Sequence, residues 1–133
     1  MDSVISQLEG QDYMNAIQLA YFRERLNTMK SEITERQDVM KNEDQEDISR
    51  IADPLDRASA EESRQASLKA RERDMLRIRE INAALARIEE GEFGYCEESG
   101  EEIGIRRLIA YPAARLSLEA QEAKERQGRF TGR

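Results

Sequence analysis

The segment Ala52-Asp53-Pro54-Leu55-Asp56-Arg57-Ala58 lies between two long stretches of helical periodicity and decides how they are connected. Pro54 forces the preceding residue out of helical geometry, so we expect a first helix to stop here. A second helix should begin at once, because Asp53 is a suitable N-cap and Pro54 suits the first helical position. The sequence therefore predicts two helices joined by a very tight turn, with a tip near residues 52–58.

Apolar residues at heptad spacing on both sides of the turn predict that the two helices pair. The first seam consists of Leu19, Phe22, Leu26, Met29, Ile33, Arg36 and Met40, and the second of Leu68, Arg71, Met75, Ile78, Asn82 and Leu85, widened by Ile81 and Ile88. Each helix has about 35–39 residues, which corresponds to a length of roughly 50–60 Å. Two arms of matched length and a tight turn predict a long antiparallel coiled-coil hairpin over residues 12–91.

Composition favours this mainly α fold and excludes several functions. Charged residues make up 37% of the 133 residues and aromatic residues only 5%, which suits helices with a narrow apolar stripe. The net charge of −7 argues against a general nucleic-acid binder. Within this acidic chain, residues 57–79 have seven bases and four acids, a net charge of +3. This basic stretch is either a solvated helix face or a surface for an acidic partner.

The sequence gives no indication of a catalytic site or of a membrane-spanning segment. It has no His for acid–base chemistry, and its only thiol has no evident base partner, so we do not expect an enzyme. No apolar run approaches the roughly 20 residues that span a bilayer. A single Cys and no signal peptide indicate a cytoplasmic location. Residues 1–11 are predicted to form an N-terminal tail.

Residues 92–133 are predicted to form a small zinc-knuckle-like globule with a C-terminal helix from about Ser117 to Gln127, ended by Gly128. A four-cysteine zinc site needs two C-x2-C pairs. Cys96 and Ser99 frame the first pair, and after 17 residues Ser117 and Ala120 frame the second. Three of the four ligands are absent. We therefore expect no structural zinc and no other cofactor. Cys96 should be a packing residue, because its neighbouring Glu residues disfavour a thiolate. Ser99 and Ser117 should form hydrogen bonds that help to stabilise the globule.

Three stretches together resemble the DksA/TraR family, and more closely its zinc-independent members: Tyr13-Met14-Asn15, Asp53-Pro54-Leu55-Asp56-Arg57-Ala58, and FGYCEESGEEIGIRRL over residues 93–108. The resemblance extends from about residue 12 to 127. It implies a transcription factor that binds RNA polymerase rather than DNA and inserts its coiled coil into the secondary channel. The implied effect is destabilisation of open promoter complexes, with repression of ribosomal RNA promoters and activation of amino-acid promoters in the stringent response. Separately, a hairpin whose seams pair within one chain predicts a monomer.

The resemblance also assigns roles to particular residues. It implies that Asp53, Asp56 and Ala58 form the tip that acts at the polymerase active site, and that Arg73 contacts the polymerase. The family's site for the alarmone ppGpp uses basic side chains, but the matching positions hold Glu80, Tyr111 and Gln121. A phosphate site without those charges should be weak.

Two other functions fit parts of the pattern. A transcript-cleavage factor also has a coiled-coil arm and uses tip acids to hold a catalytic Mg²⁺, but its globular domain would lack the knuckle frame. A structural coiled-coil dimer would pair the apolar seams between two chains, and would therefore have twice the mass of the monomer in solution.

Overall fold

The computed structural model describes residues 2–50 and 54–130, with side chains for residues 3–39 and 54–128. Its helices are α1 (Asp2–Leu8), α2 (Ala16–Arg50), α3 (Pro54–Glu90), α4 (Ile105–Ala110) and α5 (Leu118–Phe130). In these ranges the only β-pairing is an isolated antiparallel bridge between Tyr95 and Glu102. The predicted mainly α class is confirmed. None of the described helices is long and apolar enough to cross a bilayer.

The ends of the two long helices follow from local chemistry. α2 begins at Ala16, later than the expected start near Asp12, because the Asn15 side chain accepts a hydrogen bond from the Gln18 backbone N–H (2.8 Å) and caps the helix. α3 begins at Pro54, as predicted, and ends before Gly91, whose φ of 78° allows the left-handed turn that follows. The expected N-cap, Asp53, lies outside the described residues.

The chain divides into two compact units, each with its own packing. The knuckle unit comprises residues 1–27 and 81–133, and the arm unit comprises residues 28–80. This division differs from the expected one at residues 91 and 92, since the ends of both long helices belong to the knuckle unit. Phe22 in α2 packs against Phe93 in the C-terminal region: their ring centroids lie 5.5 Å apart and both side chains are buried. This contact joins the start of α2 to the C-terminal region.

The N-terminal segment is part of the knuckle unit and is not a simple tail. Leu8, at the end of α1, is only 4% exposed, and its carbonyl oxygen accepts a hydrogen bond from the buried Gln18 side chain (2.9 Å). Tyr13 donates a hydrogen bond from its hydroxyl to the Gly94 carbonyl (2.6 Å) and accepts one from the Gly104 N–H (2.9 Å). Burial raises the pKa of Tyr13, although the hydrogen bond with Gly104 opposes the shift. The Leu8 contact joins the end of α1 to α2, and the Tyr13 hydrogen bonds fasten the segment before α2 to the C-terminal region.

In the arm unit α2 and α3 run antiparallel. Arg36 pairs with Asp74 (2.8 Å), and the Gln37 side chain donates to the Arg71 carbonyl (3.3 Å), so partner numbers fall along α3 as they rise along α2. The predicted seam of α2 is confirmed by the burial of Phe22 and Leu26 in the knuckle unit and of Ile33 in the arm unit. The side chain of Met40 lies outside the described residues.

The predicted seam of α3 is correct at every second position and wrong at the others. Leu68, Met75 and Asn82 are exposed. Their places are taken by the preceding residues, so that the observed seam is Ser67, Arg71, Asp74, Ile78, Ile81, Leu85 and Ile88. The cause is the ion pair with Arg36, which places the charged Asp74 inward and leaves the apolar Met75 in solvent.

Candidate functional site

The first turn of α3 is the described part of the predicted tip. Leu55, Asp56 and Ala58 are all exposed, Leu55 to 75%. Asp56 is the one acid of that turn, where the partial positive charge of the helix terminus stabilises a carboxylate. Asp56 and Ala58 are two residues apart and therefore project about 200° apart around the helix axis. At the start of this 37-residue helix, the Asp56 carboxylate and the small apolar side chain of Ala58 therefore point in different directions.

Arg73 is not part of the tip. It is exposed, and it follows Asp56 by 17 residues on the same helix, which corresponds to roughly 26 Å along the axis. Any partner that contacts both residues must extend along the arm unit.

The first half of the knuckle is a tight loop built on backbone hydrogen bonds. The Cys96 N–H donates to the Glu101 carbonyl (2.8 Å), and the Gly100 N–H donates back to the Cys96 carbonyl (2.9 Å). Gly100 has a φ of 76°, which the loop requires. The Ser99 hydroxyl oxygen accepts from the Glu101 N–H (3.3 Å). Ser99 therefore stabilises the loop at the position where a thiolate would bind zinc.

The second half of the knuckle frame, Ser117 and Ala120, lies at the N-terminus of α5. The Ser117 hydroxyl oxygen accepts from the Ala120 N–H (3.2 Å), an N-cap for α5. α5 continues to Phe130, beyond the predicted end at Gln127, since Gly128 does not adopt the positive φ of a helix terminator. The predicted hydrogen bonds of Ser99 and Ser117 are thus confirmed.

Cys96 lies where the two halves meet and is only 3% exposed, which fits a packing role. Burial alone would raise the pKa of its thiol. Hydrogen bonds from the Ser99 side chain and from the backbone at Ser117, Ser99 and Glu98 outweigh burial and lower the pKa to about 6. The expectation that neighbouring glutamates disfavour the thiolate is wrong, because converging hydrogen-bond donors decide the balance.

A bridge of three charged residues, Arg87, Glu97 and Arg115, fastens the knuckle halves to α3. One carboxylate oxygen of Glu97 accepts from Arg87 (3.0 Å) and the other from Arg115 (3.2 Å). The Arg87 side chain is only 9% exposed and also donates to the Ala114 carbonyl (3.3 Å). The Glu97 N–H donates to the Arg115 carbonyl (2.9 Å). Sequence reasoning missed this bridge, since nothing in the linear pattern distinguishes these residues from other surface charges.

The donor set at the four frame positions does not fit zinc. Cys96 can supply one thiolate, Ser99 and Ser117 supply hydroxyls engaged with backbone N–H groups, and Ala120 supplies no donor. Zinc prefers four thiolate or imidazole ligands in structural sites. Among the described residues, no group of three or more His, Cys, Asp or Glu side chains is placed to hold a metal.

The positions aligned with the alarmone site offer no cation. Glu80 is half-buried in the arm unit. In the knuckle unit, Tyr111 is 43% exposed and the Gln121 side chain donates to Glu125 (3.2 Å). None of the three can replace a basic group that binds phosphate.

Comparisons with known proteins agree with these features. Residues 18–88 match the family described as "DnaK suppressor protein DksA, N-terminal domain", and residues 91–126 match "Prokaryotic dksA/traR C4-type zinc finger". The RNA polymerase-binding transcription factor DksA of Caulobacter vibrioides is 43% identical over 121 residues, which cover 91% of this chain and 85% of the relative. The protein of the same name from Escherichia coli K12 is 38% identical over 121 residues, which cover 89% of this chain and 80% of the relative.

Solved structures show the same fold. The structure of transcription factor DksA2 from Pseudomonas aeruginosa superimposes with a TM-score of 0.85 at 35% identity, covering 97% of this chain and 99% of that one. The match confirms the predicted fold class, a coiled-coil hairpin with a small zinc-finger-like C-terminal region. A regulator from Chlamydia trachomatis matches at a TM-score of 0.54 and 24% identity, which shows the fold alone. The chain belongs to the DksA/TraR family.

Proposed function

We propose that this protein is an RNA polymerase-binding regulator of transcription initiation in the cytoplasm that acts through the secondary channel of the enzyme. Its relatives at 38–43% identity are RNA polymerase-binding transcription factors by name. In this proposal the tip residues Asp53, Asp56 and Ala58 act at the polymerase active site, and Arg73 contacts the polymerase along the arm. The protein destabilises open promoter complexes, binds no specific DNA sequence and catalyses no reaction itself.

The exposed carboxylate of Asp56 is the observation that carries the proposal. It lies in the first turn of α3 with Leu55 and Ala58, and all three are exposed. A long helix holds its first turn rigidly, so side chains there reach a recessed site in a fixed orientation. The exposed small side chain of Ala58 permits close approach, which a bulkier residue would obstruct.

We also propose that the protein works as a monomer without structural zinc. The Arg87–Glu97–Arg115 bridge and the capping role of Ser117 join the knuckle halves that zinc would otherwise join. ppGpp should act only weakly through this protein, because Glu80, Tyr111 and Gln121 cannot supply positive charge.

In vitro transcription from a ribosomal RNA promoter, with purified bacterial polymerase and with or without ppGpp, tests the proposed function. We expect the protein alone to reduce transcript yield and to shorten the lifetime of the open complex, with little further effect of ppGpp. Unchanged lifetimes would contradict the proposal. Cleavage of RNA in backtracked complexes would instead identify a transcript-cleavage factor.

A further inference from the structure

In the arm unit, α3 has two candidate seams that lie one residue apart. The observed seam contains Ser67 and Asp74, and Ala60 continues the spacing of seven towards the start of the helix. Asp74 is buried, and Ala60 and Ser67 are half-buried. The competing seam contains Leu68 and Met75, which are 37% and 56% exposed. The helix therefore turns Ser67 and Asp74 towards α2 and leaves two large apolar side chains in solvent.

Burial of apolar area by itself favours the competing seam. Removing Leu68 and Met75 from water is favourable, whereas burying the carboxylate of Asp74 is unfavourable unless that carboxylate is paired. Arg71 and Ile78 lie in both seams, so a change from one seam to the other keeps half of the contact positions. A specific contact of Asp74 must therefore reverse the apolar preference.

The ion pair between Arg36 and Asp74 is that contact. Nη2 of Arg36 lies 2.8 Å from Oδ1 of Asp74, and the Asp74 side chain is only 12% exposed. Another contact between the helices is the hydrogen bond from the Gln37 side chain to the Arg71 carbonyl (3.3 Å), which involves a position that both seams share. The Arg36 pair therefore distinguishes the two seams, and the Gln37 contact does not.

We infer that Asp74 is a positioning residue for the tip, because its ion pair with Arg36 selects the observed seam of α3 and thereby sets the direction of Asp56. The two seams differ by one residue at alternate positions. A change of seam therefore rotates α3 about its axis by about half of the 100° between neighbouring residues, roughly 50°. Asp56 belongs to the same continuous helix, so its carboxylate turns with it. The inference rests on the proposed function, in which Asp56 acts in a fixed orientation.

Thiol labelling of the free protein tests the selection of the seam. Cys96→Ser removes the native thiol, and Ser67→Cys or Met75→Cys then reports on one position of each seam. In this background we expect the exposed Met75→Cys to react with a maleimide faster than the half-buried Ser67→Cys. Arg36→Met removes the cation and keeps a long side chain. When it is added, the order of the two labelling rates should invert, because α3 rotates.

Two control variants accompany Arg36→Met. Arg36→Lys keeps a cation, and it should keep the parental order of labelling because the pair is formed through one guanidinium nitrogen. Arg64→Met removes a cation whose pair with Glu61 (3.1 Å) lies within α3, so that pair does not determine which side of α3 faces α2. It should also keep the parental order. Circular dichroism should show the same helix content for all variants.

The labelling outcomes decide the selection of the seam. Inverted rates in Arg36→Met support it. Faster labelling at both positions overturns it, because the ion pair would then only stabilise the arm. An unchanged order also overturns it, because the seam would then not depend on the ion pair.

Transcription from a ribosomal RNA promoter adds the functional readout. Arg36→Met should lose most of its inhibition at equal polymerase occupancy, and Arg36→Lys should retain it. If the labelling order inverts but Arg36→Met inhibits as strongly as the parent, the positioning role of Asp74 is overturned. If the parent itself does not inhibit the promoter, the proposed function fails and the positioning role fails with it, whereas an inverted labelling order still supports the selection of the seam.

Discussion

Replacing Arg87 by Met should reveal how the knuckle is held together without four metal ligands. Arg87 donates to Glu97 (3.0 Å) and to the Ala114 carbonyl (3.3 Å) from a side chain that is 9% exposed. Hydrogen bonds from a charged group contribute about 1.5–3 kcal/mol each. Two effects reduce the loss. The Arg87 Nε is buried without a hydrogen bond, and Glu97 is 40% exposed and keeps its contact with Arg115. We expect the free energy of unfolding to fall by about 2–3 kcal/mol.

Tyrosine fluorescence during urea unfolding is a suitable assay, because all four tyrosines, Tyr13, Tyr21, Tyr95 and Tyr111, belong to the knuckle unit. The matched control is Arg23→Met. Arg23 pairs with Glu89 in the same unit at 3.3 Å, but the two side chains are 47% and 74% exposed. An exposed pair contributes about 0.2–1 kcal/mol. Equal losses for the two variants would refute the argument that the buried bridge holds the knuckle.

Three further predictions concern the knuckle unit. Purified protein should contain well under one zinc per chain by elemental analysis, and EDTA should leave its melting temperature unchanged; stoichiometric zinc would show that the donor set has been misjudged. The free energy of unfolding should rise as pH increases from about 6 to about 9, because the pKa of Cys96 is about 6 in the folded protein and 9.0 as a free thiol, so the unfolded chain binds more protons in this range. The slope should be at most about 1.4 kcal/mol per pH unit and should disappear in Cys96→Ser, and an identical slope in that variant would contradict the assignment. Gly94→Ala should destabilise the protein by about 2 kcal/mol or more, because Gly94 has a φ of 94° and the new Cβ would lie 2.7 Å from Met14 Cγ. The control is Gly100→Ala, which should cost only about 1 kcal/mol, because Gly100 has a φ of 76° and a Cβ there would have no atom within 4 Å. Equal destabilisation by the two substitutions would rule out the contact with Met14.

Some of these features could be predicted from the sequence because they depend on local chemistry. Pro54 and Gly91 bound α3 through their own backbone preferences, and the serines of the knuckle frame form the hydrogen bonds that their spacing suggested. The seam of α3 was misjudged at Asp74, because apolar periodicity favours Met75 and only the position of Arg36 shows that an ion pair faces inward. The low pKa of Cys96 depends on hydrogen bonds from the Ser99 side chain and from the backbone at Ser117, Ser99 and Glu98. The sequence shows the acidic neighbours of Cys96 but not that these donors converge on the thiol.

The contacts of the N-terminal segment also could not be predicted from local sequence. Leu8 is buried and Tyr13 is hydrogen-bonded to Gly94 and Gly104, but the partners of Tyr13 are more than 80 residues away. A pattern confined to residues 1–11 gives no indication of such contacts. The motif Tyr13-Met14-Asn15 was quoted for its resemblance to the family, and the structure supplies a physical reason for it. Tyr13 and Met14 pack on Gly94, and Asn15 caps α2.

The proposed action of the tip is tested most directly by Asp56→Asn in transcription from a ribosomal RNA promoter. The substitution removes a charge but keeps a short polar side chain in the first turn of α3, so stability should fall by only about 0.3–1 kcal/mol. We expect the variant to bind core polymerase with the affinity of the parent and to lose most of its inhibition of the promoter. If it inhibits as strongly as the parent at equal polymerase occupancy, Asp56 is only a residue of the helix start and the account of the tip is contradicted.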